Sequence, residues 1–333
     1  MKRLSTIAAI AAILATASCT NRIPARPDVE LLFNQLDIEG IERTHNMQGL
    51  AISGDYMFTL RNTGICVVID LSTEKLVAEF PLGSHGKNNH SNVAFFGRDK
   101  YDESDIFPLL YVSQCRQKPV TELNHDGLDT LVRLCFAERI LTDSLSRPCG
   151  SELVQVINYE PENWNSRLWA GDVKNPGRVF CYGNIVGNEA EGNRIIINEF
   201  KLPEFSKDKF IVRLSDADII ETVYADEAFP ESARGPQNTI LQGAFVYDGV
   251  LFLPTGTGSM KHPSELFFID LNKRDKNGKP SRYGYYDYTD VIACEMEDID
   301  LWNGKLVCVT NSRGDVNPVY AFNFKQFKTV KRK

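Results

Sequence analysis

A strand–turn–strand phrase recurs three times along the chain and limits the folds available to it. Residues 47–60, 241–253 and 296–309 each contain a short strand, a turn dipeptide with glycine, and a second apolar strand. The turn dipeptides are Gly54-Asp55, Asp248-Gly249 and Asn303-Gly304. Asp-Gly and Asn-Gly between apolar runs are strong β-hairpin signals. The phrase therefore predicts three hairpins of the same kind, separated by long stretches of chain.

Further strands are expected after each hairpin. A third apolar run follows in every copy and a fourth in two of them; these runs are 65–70, 265–270 and 319–322, then 76–80 and 283–286. Two less regular units occupy the middle of the chain: 91–159, and 169–214 with 217–224 as a candidate helix. Four short antiparallel strands, repeated every several tens of residues, are typical of β-propeller blades.

The repeat predicts an all-β fold, a β-propeller of about five four-stranded blades between Gln48 and Phe324. A count of six or seven stays open, because a long loop can hide a blade. A strand at or near residues 30–33 is expected to complete the last blade and close the ring, since radial repetition leaves only short strand edges exposed. The alternatives are a pair of β-sandwiches or an irregular α+β enzyme.

The N-terminus predicts export. Lys2 and Arg3 precede a mostly apolar run, residues 4–17, and small residues lead from it to Cys19. A cationic start, an apolar run and a small-residue exit make a secretory signal, and this run is too short to span a bilayer. The small residues before the cysteine resemble a bacterial lipobox, which predicts a lipidated Cys19; simple cleavage after Ala17 is the alternative.

The signal also sets the expected domain boundaries and the charge of the mature chain. Residues 1–18 are the predicted signal peptide, 19–27 a lipidated tether, and 28–333 a single, monomeric propeller domain. Loss of Lys2 and Arg3 changes the formal net charge from −7 to −9. An acidic chain without a basic stripe is a poor nucleic-acid binder. Membrane contact is expected only through the lipid, in a protein that faces the periplasm or the cell surface.

The eight cysteines give no metal or redox motif, because no pair has C-x-x-C spacing. Without Cys19, seven remain. Export permits disulfides, but seven is odd, so at least one free thiol is expected.

Two of the hairpin phrases resemble a known family. Met47-Gln48-Gly49 and Leu241-Gln242-Gly243 are similar to the Thr-Gln-Gly-Leu phrase of the glutaminyl cyclotransferase propellers, and equally to propeller lipoproteins of Gram-negative bacteria. The resemblance implies a five-bladed propeller. In the cyclotransferases the second strand of the phrase carries a catalytic acidic residue. The corresponding stretches here, 58–61 and 252–255, contain no carboxylate, so no catalytic residue is carried over.

Candidate binding residues come from loops that a propeller places on one face. The loops that enter the first strand of each blade, and those between its second and third strands, open on the same side, and loops on a rigid scaffold often carry function. Arginine forks suit a carboxylate or sulfate, and amides and imidazoles suit sugar hydroxyls or peptide groups. The predicted site residues are Arg61, Arg116, Arg313, His45, His90, Asn92, Gln48, Gln242 and Glu297. For Gln48, Gln242 and Glu297 the alternative is that they only satisfy buried backbone groups.

The predicted function is that of a cell-envelope lipoprotein that binds a small molecule, a glycan or an envelope protein. The alternative is an enzyme on the same fold, either a metal-assisted lyase or hydrolase of saccharides or a cyclotransferase relative. No cofactor is expected, although a calcium ion in the central channel stays open because such channels collect carboxylates. His85 and His90 alone are weak indications of zinc.

Overall fold

The structure is a computed structural model that describes residues 25–42, 46–116, 118–123, 125–162, 164, 166–184, 194–231, 233, 235–312 and 316–332. The predicted signal peptide and Cys19 lie outside these residues. The strands, in chain order, are β1 Val29–Asn34, β2 Met47–Ser53, β3 Tyr56–Arg61, β4 Ile65–Asp70, β5 Lys75–Pro81, β6 Ser91–Phe96, β7 Leu110–Gln114, β8 Cys135–Thr142, β9 Pro148–Tyr159, β10 Leu168–Gly171, β11 Arg178–Asn184, β12 Ile195–Lys201, β13 Ile211–Leu214, β14 Glu221–Tyr224, β15 Phe245–Tyr247, β16 Val250–Thr255, β17 Glu265–Asp270, β18 Arg282–Asp287, β19 Glu295–Trp302, β20 Lys305–Asn311, β21 Pro318–Asn323 and β22 Val330–Lys331. The helices described are short 3-10 turns at Gln35–Asp37, Thr121–Leu123, Asp216–Asp218, Ala225–Ala228, Pro236–Asn238 and Phe324–Gln326.

The strands form five sheets, the blades of a five-bladed β-propeller, as predicted. From the inner strand outward, blade 1 is β2-β3-β4-β5, blade 2 is β6-β7-β8-β9-β13 and blade 3 is β10-β11-β12-β14. Blade 4 is β15-β16-β17-β18-β22, and blade 5 is β19-β20-β21-β1. Two predicted turns have the backbone that such tight hairpins need, because Asp248, Gly249, Asn303 and Gly304 all have positive φ.

The first strand closes the ring, as expected from residues 30–33. β1 pairs antiparallel with β21, from Val29 opposite Phe322 to Asn34 opposite Pro318. The last blade is therefore built from both ends of the domain, and its outer strand comes from the N-terminal side.

The predicted boundaries of the third unit were wrong in two places. Residues 211–214 form β13, which pairs in parallel with β9 and so extends blade 2 rather than blade 3. The candidate helix at 217–224 is one 3-10 turn followed by β14, which pairs with β12. The β-branched residues Thr222 and Val223 favour this extended strand, and the long β9 offers β13 a free edge over residues 156–159.

The core consists of apolar layers between neighbouring blades. Phe58 of blade 1 and Phe136 of blade 2 belong to one buried apolar cluster, and Leu50 of blade 1 and Val309 of blade 5 belong to another. Comparable layers join the other adjacent pairs of blades. The seven cysteines of the described chain are all free, and four of them are buried strand residues. None of the helices described here is long or apolar enough to cross a membrane.

Candidate binding site at the channel mouth

The inner strands of three blades are irregular at the same level of the central channel. We call the side on which the inner strands begin the top face. Near it, the register of β2 shifts between Met47 and Leu50, that of β6 between Ser91 and Val93, and that of β19 between Met296 and Asp298. A β-bulge redirects a side chain, and bulges are common beside functional sites. Gln48, Asn92 and Glu297 lie within these three irregular segments.

These three side chains form a hydrogen-bonded row across three blades. Asn92 Nδ2 donates to Gln48 Oε1 at 3.1 Å, and Gln48 Nε2 donates to Glu297 Oε1 at 3.1 Å. All three residues are buried, with 6 % exposure or less. The three blades thus converge on one polar cluster.

Glu295 extends the row to a fourth blade. Its carboxylate is hydrogen-bonded to the Glu297 side chain, and its Oε1 accepts from Gln242 Nε2 at 2.6 Å. Gln242 Nε2 also donates to the Gly256 carbonyl at 3.2 Å. We call Asn92, Gln48, Glu297, Glu295 and Gln242 the mouth network. It joins blades 2, 1, 5 and 4 on the top face.

Burial favours the protonated form of Glu297, one of the two acids of the mouth network. Burial, together with the negative charge of Glu295, raises the pKa of Glu297 well above its usual value, although a hydrogen bond from Asn311 acts in the opposite direction. The raised pKa favours the protonated form of Glu297, a carboxylic acid that can donate one hydrogen bond and accept others.

Asp298 lies deeper and joins the inner strands to one another. Its Oδ2 accepts from the backbone N–H of Leu50 at 2.8 Å and of Ala94 at 3.1 Å. A Cβ on Gly243 would lie 2.2 Å from Asp298 Oδ1. The carboxyl group thus reaches β2, β6 and the chain before β15. Burial raises its pKa well above the usual value.

The structure gives Arg61 partners within the protein. Its guanidinium donates to both carboxylate oxygens of Glu79 at 3.0 and 2.9 Å and to Glu42 at 3.1 Å. Glu79 lies in β5, the outer strand of blade 1, so the side chain extends away from the channel. The predicted role of Arg61 in ligand binding stays a prediction, but its guanidinium is already held by two carboxylates.

His90 and Arg116 lie together on the top face. Burial, and next the positive charge of Arg116, lower the pKa of His90 to about 4, so its imidazole is neutral at pH 7. Its Nδ1 is buried and has no hydrogen-bond partner among the described residues. The two other predicted site residues, His45 and Arg313, lie outside the described residues.

Sequence reasoning missed two arginines on the same face. Arg133 lies just before β8, and Arg167 immediately precedes β10, the inner strand of blade 3. They are only 6 % and 5 % exposed. A signal was present: Arg167 directly precedes an apolar strand and Arg133 lies two residues before one, in the two kinds of loop from which the candidates were drawn.

Across the described chain, no group of three or more His, Cys, Asp or Glu side chains is arranged to hold a metal ion. The calcium ion considered from the sequence stays a prediction.

Comparisons with known proteins give no family. No protein-family model matches the chain, and no curated protein matches it significantly. Among solved structures, the tail fibre of Staphylococcus aureus phage P68 is 13% identical, with a TM-score of 0.49 over 89% of this chain and 53% of that one. The chain thus spans about half the length of the tail-fibre chain. Glutaminyl cyclase from Myxococcus xanthus is 12% identical, with a TM-score of 0.44 over 93% of this chain and 100% of that one.

Proposed function

We propose that this protein is a ligand-binding propeller of the cell envelope, exported and anchored through a lipid on Cys19, with its site at the channel mouth on the top face. The observation that carries the proposal is the alignment of three strand irregularities, which direct Gln48, Asn92 and Glu297 toward one another.

The chemistry of the mouth suits a polar ligand. Two carboxamides, a carboxyl group with a raised pKa and a neutral imidazole offer both donors and acceptors. Such groups recognise the hydroxyl groups of a glycan or small molecule, or the peptide groups of an envelope protein. A bulge interrupts the strand ladder. Three bulges at one level are hard to explain by packing alone, since an unbroken inner strand would satisfy more backbone groups.

An enzyme at the same mouth is the second candidate, and Glu297 favours it. A carboxyl group whose pKa is raised by burial and by a second carboxylate is the arrangement a general acid needs. The reaction classes are the lysis or hydrolysis of a saccharide, or a cyclotransfer. Replacement of Glu297 by Gln preserves hydrogen bonding but removes the acid, so an enzyme would lose turnover and keep its affinity.

A ligand screen tests the site. The melting temperature of the purified protein would be measured with neutral glycans, acidic sugars, a peptide with an N-terminal glutamine, and calcium or a chelator. A ligand at about 100 times its dissociation constant stabilises by about 2.7 kcal/mol. We expect the shift to be lost in Gln48→Ala/Asn92→Ala and kept in Lys276→Ala, a change on an exposed loop. A shift that survives the double substitution would place the ligand elsewhere.

The lipid anchor has a separate test. Cys19→Ala should move the protein from the membrane fraction to the soluble fraction of its host, and unchanged fractionation would exclude the anchor.

A further inference from the structure

Arg133 and Arg167 are buried cations without an acidic partner in the described structure. No carboxylate of the described residues lies within 4.0 Å of either guanidinium, whereas the equally buried Arg61 has two. Desolvating a charge without a counterion is costly. Their burial therefore needs a reason.

Their hydrogen bonds within the protein leave donors unused. Arg133 Nη1 donates to the Trp164 carbonyl at 2.7 Å, and Arg167 donates to the carbonyls of Tyr159 and Val132. The Nε of each arginine is buried and without a partner in the described structure. Backbone carbonyls thus orient both guanidinium groups but neutralise neither.

The two cations also lie near each other, because Arg167 reaches the carbonyl of Val132, the residue before Arg133. Burial lowers the pKa of Arg133 and of Arg167. The charge of Arg167 lowers the pKa of Arg133 further, whereas the charge of Glu160 acts on Arg167 in the opposite direction. A pair of like charges held together in the interior raises the energy of the empty protein, and an anion between them would remove that penalty.

The arginine pair adjoins the mouth network. Cys115, just after β7, lies close enough to Arg133, Arg116 and Glu297 to feel the charge of all three. Its backbone N–H donates to the His90 carbonyl at 3.1 Å. The arginines therefore belong to the same face and the same neighbourhood as the mouth network, beside the one inner strand, β10, that the network does not reach.

Backbone strain marks the same loops. Among the described residues other than glycine, seven have positive φ. Four of these lie in turns between paired strands: Glu74, Ser146, Asp248 and Asn303. The other three, Asn46, His90 and Arg133, all lie in loops of the top face. A positive φ is energetically unfavourable for arginine, and backbone strain of this kind clusters at functional sites.

We propose that Arg133 and Arg167 bind the carboxylate of the ligand that the mouth holds; this rests on the proposed function and names the ligand class. The ligand is then a small organic acid with hydroxyl or amide groups, such as an acidic sugar. Guanidinium forks fit both carboxylates and phosphates. The negative charge of Glu295 in the mouth network favours a singly charged carboxylate over a doubly charged phosphate or sulfate, because like charges repel.

The test uses the purified protein and three variants: Arg133→Met, Arg167→Met, and Arg147→Met as the control, since Arg147 is an exposed arginine paired with Asp143. Glucuronate, galacturonate, glutamate and acetate would be compared with glucose, glutamine, sulfate and phosphate by calorimetry and thermal melting. We expect a carboxylate to bind at least tenfold more tightly than its neutral analogue. Each buried-arginine variant should lose at least tenfold of that affinity, because a hydrogen bond to a charged group contributes most of the discrimination.

Melting without ligand gives a second readout. If the two cations are held in readiness for an anion, removal of either should raise the melting temperature of the empty protein or leave it unchanged. Arginines with only a structural role would give a lower melting temperature and no change in ligand preference. A lower melting temperature with unchanged ligand preference would overturn the inference. So would the lack of a preference for any of the four carboxylates, or tighter binding of phosphate or sulfate.

The two proposals fail in different ways. If Gln48→Ala/Asn92→Ala abolishes the binding of neutral ligands and the arginine substitutions do not change it, the proposed function stands and the carboxylate site is excluded. Carboxylate binding lost in the arginine variants but kept in Gln48→Ala/Asn92→Ala would keep the arginine site and remove the mouth network from the proposed function.

Discussion

At the residue scale, the buried charged side chains differ in how they are compensated. Arg61 is compensated by two carboxylates, Asp298 and Asp300 by backbone N–H groups, and Arg133 and Arg167 by carbonyls alone. The sequence alone predicted a ligand role for Arg61. The local sequence around an arginine at the end of a strand does not show whether a carboxylate lies two strands away in the sheet. The acid is Glu79, which only the sheet brings near.

Replacement of Arg61 tests its structural role. Arg61→Ala leaves Glu79 without its bidentate partner, and Glu79 is only 29% exposed. We expect the free energy of unfolding to fall by about 2 kcal/mol. Arg147→Ala removes a more exposed pair with Asp143 and should cost clearly less, because solvent screens exposed ion pairs. Denaturant titrations of both variants measure the difference, and equal losses would contradict it.

Asp300 should make stability depend on pH. Burial raises its pKa to about 7, although its carboxylate accepts from the Ile52 N–H at 2.6 Å. An unfolded aspartate titrates near pH 4, so between about pH 4 and 7 the folded state holds a proton that the unfolded state has lost. This contribution to stability is full below the unfolded pKa and is lost as the pH rises through the folded pKa, at most about 1.4 kcal/mol per pH unit.

The variant Asp300→Asn cannot titrate and provides the comparison. The stability of the wild type relative to this variant, measured as unfolding free energies in denaturant, should decline between about pH 4 and pH 7 and level off above that. Parallel pH curves for the two proteins would show that Asp300 does not titrate in this range.

At the element scale, the inner strands meet edge to edge around the channel without forming a common sheet. Backbone groups at the edges of the inner strands therefore lack partners in a sheet. Two acidic residues of β19 supply some of these partners: Asp298 accepts from the N–H of Leu50, and Asp300 from the N–H of Ile52, both in β2. Unpaired strand edges are otherwise a liability. The same level carries the three bulges, so the segment that joins the blades also forms the mouth network.

Gly243 shows why glycine follows glutamine in the repeated phrase. A methyl group here would meet Asp298 Oδ1 at 2.2 Å and the Glu297 carbonyl at 2.5 Å. Gly243→Ala should therefore lower the free energy of unfolding by about 1–3 kcal/mol. Gly150→Ala, whose methyl would make only ordinary contacts at 3.5 Å, is the matched control. Thermal melting distinguishes them, and two equal melting temperatures would show that the channel can relax around the methyl group.

At the scale of the whole molecule, the ring is held closed by β1. Its pairing with β21 covers an edge that would otherwise be open to solvent and to other chains. Loss of one strand therefore affects a blade that also supplies Glu297 and Asp298.

Truncation tests this closure. A chain that starts at residue 35 lacks β1, and we expect its melting temperature to fall by about 10 °C or more, with aggregation through β21. A chain that starts at residue 25 keeps β1 and should melt like the protein without its predicted signal peptide. Light scattering and circular dichroism follow both properties. A monomeric, equally stable protein without β1 would refute the closing role.

The sequence by itself determined the class of fold. Alternating apolar runs and Asp-Gly or Asn-Gly turns are local signals, because a hairpin pairs residues only a few positions apart, and they were enough to predict five blades and the closing strand. The prediction failed where the loops are long. Residues 211–214 were assigned to the third unit but pair with β9 of blade 2, because a strand pairs with an edge that is near in space, not with the nearest strand in the sequence.

Only the tertiary structure decided the site. The mouth network joins Gln48 to Glu297, 249 positions apart, and no local pattern encodes such a contact. The sequence did predict one common face for Gln48, Asn92, Gln242 and Glu297, and the structure joins them there; their role in binding stays a prediction. The compensation of Arg61, and its absence around Arg133 and Arg167 in the described structure, depend on which carboxylates lie nearby in space, because electrostatic interactions act over distances of a few ångströms and not along the chain.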